Sequence, residues 1–357
     1  DLANVSAIET FDVTATTADL TISLHDDNTA AGDTLTVSTA MTTGVLVFDG
    51  SNENDGNLVV TAAGTGAHTV TLGSGNDSYT STSSGVDTVV ATAGTNTIST
   101  GAGNDGITMG TGADDITGGA GDDTFNFESA NLTSIDVVAG GGDADTISLS
   151  DDNTVVDADF TNVTSVETLT AAADKDSTIT LGALASAAGI TTVTLTGEAA
   201  LDTDTLTVGA GFTSALTVNL DDDANTANTV NAAAYTGALT IAAADTNLDS
   251  QAHTLTGGTG TSDKVVITAS GGTIQAADLA NVSAIETFDV TGTTASTDIT
   301  LHDSNGADGA NLTVSATGLT TGVLTVDATN ETDAIVTVTG GAGDDVITGS
   351  ASDQADT

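Results

Sequence analysis

Between residues 63 and 126 a glycine recurs once in every nonapeptide, and an apolar side chain stands four positions after each of them. The segment reads AGTGAHTVT, LGSGNDSYT, one inserted Ser81, then TSSGVDTVV, ATAGTNTIS, TGAGNDGIT, MGTGADDIT and GGAGDDTFN. Position four is Gly66, Gly75, Gly85, Gly94, Gly103, Gly112 and Gly121, and position eight is Val70, Tyr79, Val89, Ile98, Ile107, Ile116 and Phe125. Position six is Asp77, Asp87, Asp105, Asp114 and Asp123, with His68 and Asn96 in the two remaining repeats. The glycine half is read as a turn whose backbone angles a side chain would forbid. The end of each repeat is a short strand whose middle member points inward.

Two nonapeptides then close one flattened coil with a turn along each edge. Asp105 falls one coil from Asp87 and one from Asp123. Carboxylates stacked at roughly 5 Å repel each other unless a cation lies between them. A ligand set of carboxylates and turn carbonyls, without a Cys or His cluster, selects Ca²⁺.

These nonapeptides resemble the RTX (repeats-in-toxin) motif G-G-x-G-x-D-x-U-x, a calcium-binding β-helix repeat. The resemblance implies a parallel β-roll that folds on binding several Ca²⁺ ions and leaves bacteria through a type I exporter. It implies a side-chain ligand role for Asp77, Asp87, Asp105, Asp114 and Asp123. Backbone carbonyls would come from turns containing Gly101, Gly103, Gly110, Gly112, Gly119 and Gly121. GGAGDDVIT at 340–348 adds Gly341, Gly343 and Asp345. GGGDADTIS at 140–148 adds Asp145, and GGTGTSDKV at 257–265 adds Asp263 one place late. His68, Asn96 and Ser81 depart from the motif, so the sites at 101–123 match it best.

A second, larger repeat overlies the first. DLANVSAIETFDV stands at 1–13 and again at 278–290, and DFTNVTSVETLT at 159–170 is a looser copy. His25 and Asp26 recur as His302 and Asp303, and D-x-x-N-E-x-D recurs at Asp49–Asp55 and Asp327–Asp333. That pattern reads as a polar loop or a further cation loop, the polar loop being the simpler reading because a duplication copies loops regardless of use. The histidines read as surface residues following strands, and Glu9, Glu167 and Glu286 as caps within a corner.

Short aliphatic/Thr runs follow one another throughout, among them Leu20–Leu24, Leu35–Val37, Val45–Phe48, Leu58–Val60 and Val70–Leu72. Val193–Leu195, Leu206–Val208, Leu216–Leu220, Leu239–Ile241 and Val265–Ile267 continue the series. They predict an all-β, right-handed parallel β-solenoid, since one sandwich core would not hold so long a chain. Leu181–Ala188 could form a short helix, and Leu2, Val5, Ile8 and Phe11 one helical turn or a corner; both are read as corners or caps. The expected modules are a solenoid body at 1–62, a calcium β-roll at 63–150, a second body at 151–277 and the start of a tandem module at 278–357.

Composition narrows function. Fifty acidic residues face two cations, Lys175 and Lys264, for a net charge of −48. Nucleic acids and anionic membranes are thereby excluded as partners. Proline and cysteine are both absent, where about 18 prolines would be usual for this length. A chain that is nearly all hydrogen-bonded ladder suits the first absence, and the second leaves no disulfide or thiolate site. No metalloprotease, serine-hydrolase or phosphate-loop motif is present, so the expectation is a structural protein and not an enzyme.

With no leader or membrane segment in view, the chain reads as part of a longer secreted protein. Its expected place is the bacterial cell surface, as a surface-layer subunit or a filament or adhesin shaft. Self-association into an array or filament, and cell-surface polysaccharide, are the expected partners beyond Ca²⁺. The alternatives are an adhesin module that binds glycan, another cell or ice, and the carrier region of a secreted hydrolase.

Overall fold

A computed structural model describes residues 2, 5–173, 175–196, 203–220, 227–250, 253–292 and 294–351. Asp1, Ala3 and Asn4 of the first DLANVSAIETFDV copy, and positions 352–357 of the expected second module, lie outside them. The fold is an all-parallel β-solenoid, as expected from the open-ended series of short strands. Two compact units are distinguished: Asp1–Asp151 with Ala158–Leu169 and Ala187–Gly189, and Asp152–Asp157 with Thr170–Ser186 and Ile190–Thr357.

In the first unit successive strands alternate between two sheets. One runs in chain order from Thr10–Thr16 to Val163–Thr164 and includes Ser78–Ser81, Thr97–Ala102 and Asp115–Ala120. The other runs from Leu20–Ser23 to Thr146–Leu149 and includes Thr88–Ala91, Gly106–Met109 and Thr124–Phe127. Register fixes the coil length. Ile98 pairs with Ile116 and Val89 with Ile107, so these central coils are made of two nonapeptides, whereas flanking coils are longer, with Leu20 paired to Leu46 and Ile116 to Val138. Tyr79 pairs with Ile98, one position beyond that period, because Ser81 is kept inside the coil. Its hydroxyl accepts the N–H of Ser83, whose own hydroxyl donates to the Gly66 carbonyl.

The position-eight side chains from Val70 to Phe125 are all buried, with exposures of 0–1 %. Inward residues from both sheets fill a core only one or two side chains thick, which small aliphatic residues suffice to pack.

In the second unit every described coil is of the longer kind. Ile179 pairs with Leu206, three nonapeptide lengths on, and Val218 pairs with Ile241, between two and three lengths on. One of its sheets runs from Asn153–Val155 to Val282–Ser283, and another contains Thr273–Ile274, Thr297–Thr300, Leu324–Asp327 and Val346–Thr348. The segment Leu181–Ala188, read as a corner or cap, contains a short helix, Ala183–Ala188. Asp157 caps it from another coil, accepting the N–H groups of Gly182, Leu184 and Ala185.

A second helix, Asp245–Ser250, was not anticipated. Burial pushes the Asp245 carboxyl up, but hydrogen bonds from Ser270, Thr297 and Gly272 outweigh it and hold the group below the usual carboxylate range. The described part of the Leu2–Phe11 pattern, from Val5 on, is a corner running into the strand Thr10–Thr16, not a helix. Its motif explains the corner: Ala7, Ser165 and Ala284 occupy the same place in the three copies, with φ of 55°, 52° and 54°. A left-handed residue there turns the chain before the glutamate.

Candidate metal centre along the turn edges

Each turn edge of the first unit carries a hydrogen-bonded ladder of side chains. On one edge Asp87 Oδ1 accepts the N–H of His68, Asp105 that of Asp87, Asp123 that of Asp105, and Asp145 that of Asp123, at 2.7–2.9 Å. On the other edge Asp77 accepts from Leu58, Asp114 from Asn96, and Asp136 from Asp114, at 2.8–2.9 Å. The carboxylate therefore does not point into bulk water. It reaches back one coil and satisfies a backbone donor that the sheet leaves unpaired.

The two departures from the repeat keep this role. His68 Nδ1 accepts the N–H of Leu46, and Asn96 Oδ1 accepts that of Asp77. Acceptance through Nδ1 fixes the tautomer of His68 with the proton on Nε2, and burial lowers its pKa, against the pull of Asp87. The corner glutamates terminate ladders: Glu167 Oε2 accepts from Asp145 N, and Glu286 Oε2 from Asp263 N. In the second unit Asp204, Asn228 and His253 form a third series, accepting from Ser177, Asp204 and Asn228. Asp263 accepts from Leu239 despite its late position in the motif, and Asp345 accepts from Leu324.

Asp136, Asp204, Asn228 and His253 were missed by the glycine-based reading. A shorter signal marks them all: an Asp, Asn or His two positions before an inward side chain, as in Asp136–Val138, Asp204–Leu206 and His253–Leu255.

With one oxygen of each carboxylate committed to the ladder, the second decides the chemistry. Asp105, Asp114, Asp123 and Asp145 are at most 2 % exposed, and the Oδ2 of each is buried without a hydrogen-bond partner. A buried charged oxygen left bare costs on the order of 1–3 kcal/mol or more. Burial raises the carboxyls of Asp114 to about 6 and Asp123 to about 7, with neighbouring carboxylates adding to the shift. Asp145 is raised too, by burial and then by Glu167 and other acidic neighbours. Such atoms need a proton or a cation, and hard oxygen donors in this arrangement fit Ca²⁺.

The other carboxylates are better satisfied. Asp77 also takes the N–H of Gly73, Asp87 the hydroxyl of Tyr79, and Asp263 the N–H of Gly258. Burial raises Asp77 and Asp87 as well.

The glycines make room for this packing. A Cβ on Gly118 would lie 2.1 Å from Asp123 Oδ2, one on Gly140 would lie 2.3 Å from Asp145 Oδ2, and one on Gly340 would lie 2.1 Å from Asp345 Oδ2. Left-handed geometry is not their common reason, contrary to the reading from spacing. Among the designated turn glycines it holds at Gly101, Gly103, Gly112, Gly119 and Gly121 but not at Gly110, Gly341 or Gly343. What these last three share is close approach: an added Cβ would meet Thr92 O at 1.8 Å, Leu319 Cβ at 2.7 Å and Gly322 O at 2.3 Å respectively.

The family model of the RTX calcium-binding nonapeptide repeat matches residues 81–114, 110–131 and 337–353. No curated protein and no solved structure matches the chain. The matched segments coincide with the ladders at Asp87–Asp123 and at Asp345. RTX repeats bind Ca²⁺, and the chain carries such repeats within its parallel β-solenoid. Such repeats point to a secreted, extracellular protein, and among the described residues no helix is long and apolar enough to cross a membrane.

Proposed function

We propose, starting from an RTX-repeat β-roll, that this chain is a calcium-stabilised structural segment of a bacterial surface protein: a surface-layer subunit or a filament or adhesin shaft. The observation that carries the reading is the run of buried, half-satisfied carboxylates at Asp105, Asp114, Asp123 and Asp145. The bare Oδ2 atoms would hold the ions, with carbonyls from the turns of Gly101, Gly103, Gly110, Gly112, Gly119 and Gly121. Asp345, with Gly341 and Gly343, would form an equivalent site. Asp77, Asp87 and Asp263, whose second oxygens already have donors, would bind more weakly.

Calcium would serve rigidity more than chemistry. Ions between rungs cancel a repulsion between stacked carboxylates that grows with every such coil added, in a chain of net charge −48. The modules 1–62, 63–150, 151–277 and 278–357 are proposed as body, roll, body and the start of a tandem repeat. The duplication favours an elongated array that self-associates or meets surface polysaccharide, and it is the ground for a structural and non-enzymatic reading. Export by a type I system is part of the same proposal.

Electron microscopy of the native cell surface, before and after a chelator, tests the reading. Loss of an ordered array or of straight filaments on chelation supports it. Unchanged order, with the protein present and free of calcium, overturns it.

A further inference from the structure

A second kind of acidic corner lies away from the nonapeptide turns and occurs twice. Asp26, Glu53 and Asp55 each place a carboxylate oxygen within 4.8 Å of the other two, and Asp303, Glu331 and Asp333 do the same. The first triad stands in the first unit and the second triad in the second unit. Neither contains a nonapeptide residue.

Glu53 is what distinguishes the corner from a solvated loop. It is 0 % exposed, and its Oε1 accepts the N–H of Gly56 at 3.0 Å. Its Oε2 is buried with no hydrogen-bond partner. Glu331 is also 0 % exposed. There the Gly306 N–H reaches Oε2 at 3.2 Å, and the buried atom left without a partner is Asp333 Oδ1. The polar-loop reading of D-x-x-N-E-x-D thus fails at its central glutamate. In the first corner an open cleft of about 580 Å³, lined by Asp26, Asp27, Thr29 and Asp55 among others, gives access from solvent.

Divergence between the two copies surrounds the triad without entering it. Gly50, Ser51 and Asn54 have become Ala328, Thr329 and Thr332, and Asp27, outside the triad, has become Ser304. The three triad acids are unchanged, although Asn54 lies between two of them and Asp27 adjoins the third. Packing has been kept through a paired exchange: Thr29 sits over Gly56 in one copy, whereas Gly306 makes room for Ala334 in the other.

We propose that each corner is a further divalent-cation site, taking Ca²⁺ through Asp26, Glu53 and Asp55 in one copy and through Asp303, Glu331 and Asp333 in the other. Three carboxylates without Cys or His are hard ligands that suit Ca²⁺, and the cation would take up the orphaned oxygen. The inference stands apart from the nonapeptide reading, since it uses none of the same residues.

Native mass spectrometry of the full chain, titrated with Ca²⁺ alone, tests it. Glu53→Gln should lower the bound-ion count by one, and Glu53→Gln with Glu331→Gln by two. Asp26→Asn and Asp303→Asn change exposed residues; they should weaken the same two ions at least ten-fold with circular dichroism unchanged. Asp105→Asn with Asp123→Asn should remove different ions and leave these two. An undiminished count in both the glutamate and the exposed-aspartate variants overturns the proposal, whatever the nonapeptide variants do.

Discussion

The paired ladders within residues 68–167 and the ladder of residues 204–253 are built alike, yet they differ in charge. In all of them, a polar side chain two positions before an inward one reaches back a coil to take a backbone N–H. The first pair is almost all aspartate and leaves the Oδ2 atoms of Asp105, Asp114, Asp123 and Asp145 bare, whereas the other passes from Asp204 to the neutral Asn228 and His253. His253 even finds a partner for its other nitrogen in Asn247, at 2.7 Å. The hydrogen bond alone is thus enough to stack coils. The second carboxylate oxygen is an addition, and what it adds is dependence on a cation.

Removing calcium should separate the two regions most sharply. Hydrogen exchange of the full chain in a chelator should accelerate by about 100-fold or more around Ile98–Ser148, while Thr205–Thr256 stays protected. Equal acceleration in both would show that the neutral ladder is no sturdier. Asp123→Asn converts one rung to the kind found at Asn96. It should weaken calcium binding about ten-fold or more, read by titration, yet raise the melting temperature of the calcium-free protein. Gly118→Ala drives a methyl group into Asp123 Oδ2. It should cost about 1–3 kcal/mol in denaturant unfolding, with or without calcium.

Acidity provides a gentler probe. Asp123 and Asp114 are raised in the folded state to about 7 and about 6 from an ordinary value of 3.8. The folded calcium-free chain therefore binds more protons than the unfolded one. The stability this supplies is complete below 3.8 and is lost as pH rises through 6 and 7. Between pH 6.5 and 8 the calcium-free form should lose about 1 kcal/mol, roughly 1–2 °C in melting temperature for a chain of this length. Calcium affinity should change in the opposite sense, strengthening as pH rises. Below about 6.5 the lowered pKa values of His68 and His253 begin to act against folding. The smallest effect is expected for His253→Asn, which keeps an acceptor for Asn228 and should cost about 0.5 kcal/mol.

Much of this architecture was legible because period-two alternation and nonapeptide spacing are local properties. Leu20, Leu58, Val193 and Leu239 announce their strands without knowledge of the partners they pair with. Pairing distance was legible only where the period is strict. The long step from Ile179 to Leu206 includes a helix capped from a different coil by Asp157, and no local pattern signals that.

The site was read through its glycines, which is why Asp105, Asp114 and Asp123 stood out and Asp136 did not. Asp136 serves the same ladder with Thr133 taking its second oxygen, and it follows no glycine turn. Glu53 was obscured for a different reason. A loop rich in Asn, Ser and Asp reads as solvated, and only the chain folding over it reveals a buried acid.

The back-reaching bond also gives the solenoid a direction. Every rung is completed by the one that follows it in the chain, so the two ends of any stretch are chemically unlike: one shows a waiting N–H, the other an acceptor without its donor. Cutting after Phe127 would strand the amide of Asp123, whereas cutting before Thr88 would strand no amide of that ladder. Growth from the amino end would leave one amide waiting at each step for the next rung, whereas growth from the carboxyl end would leave one side-chain acceptor waiting.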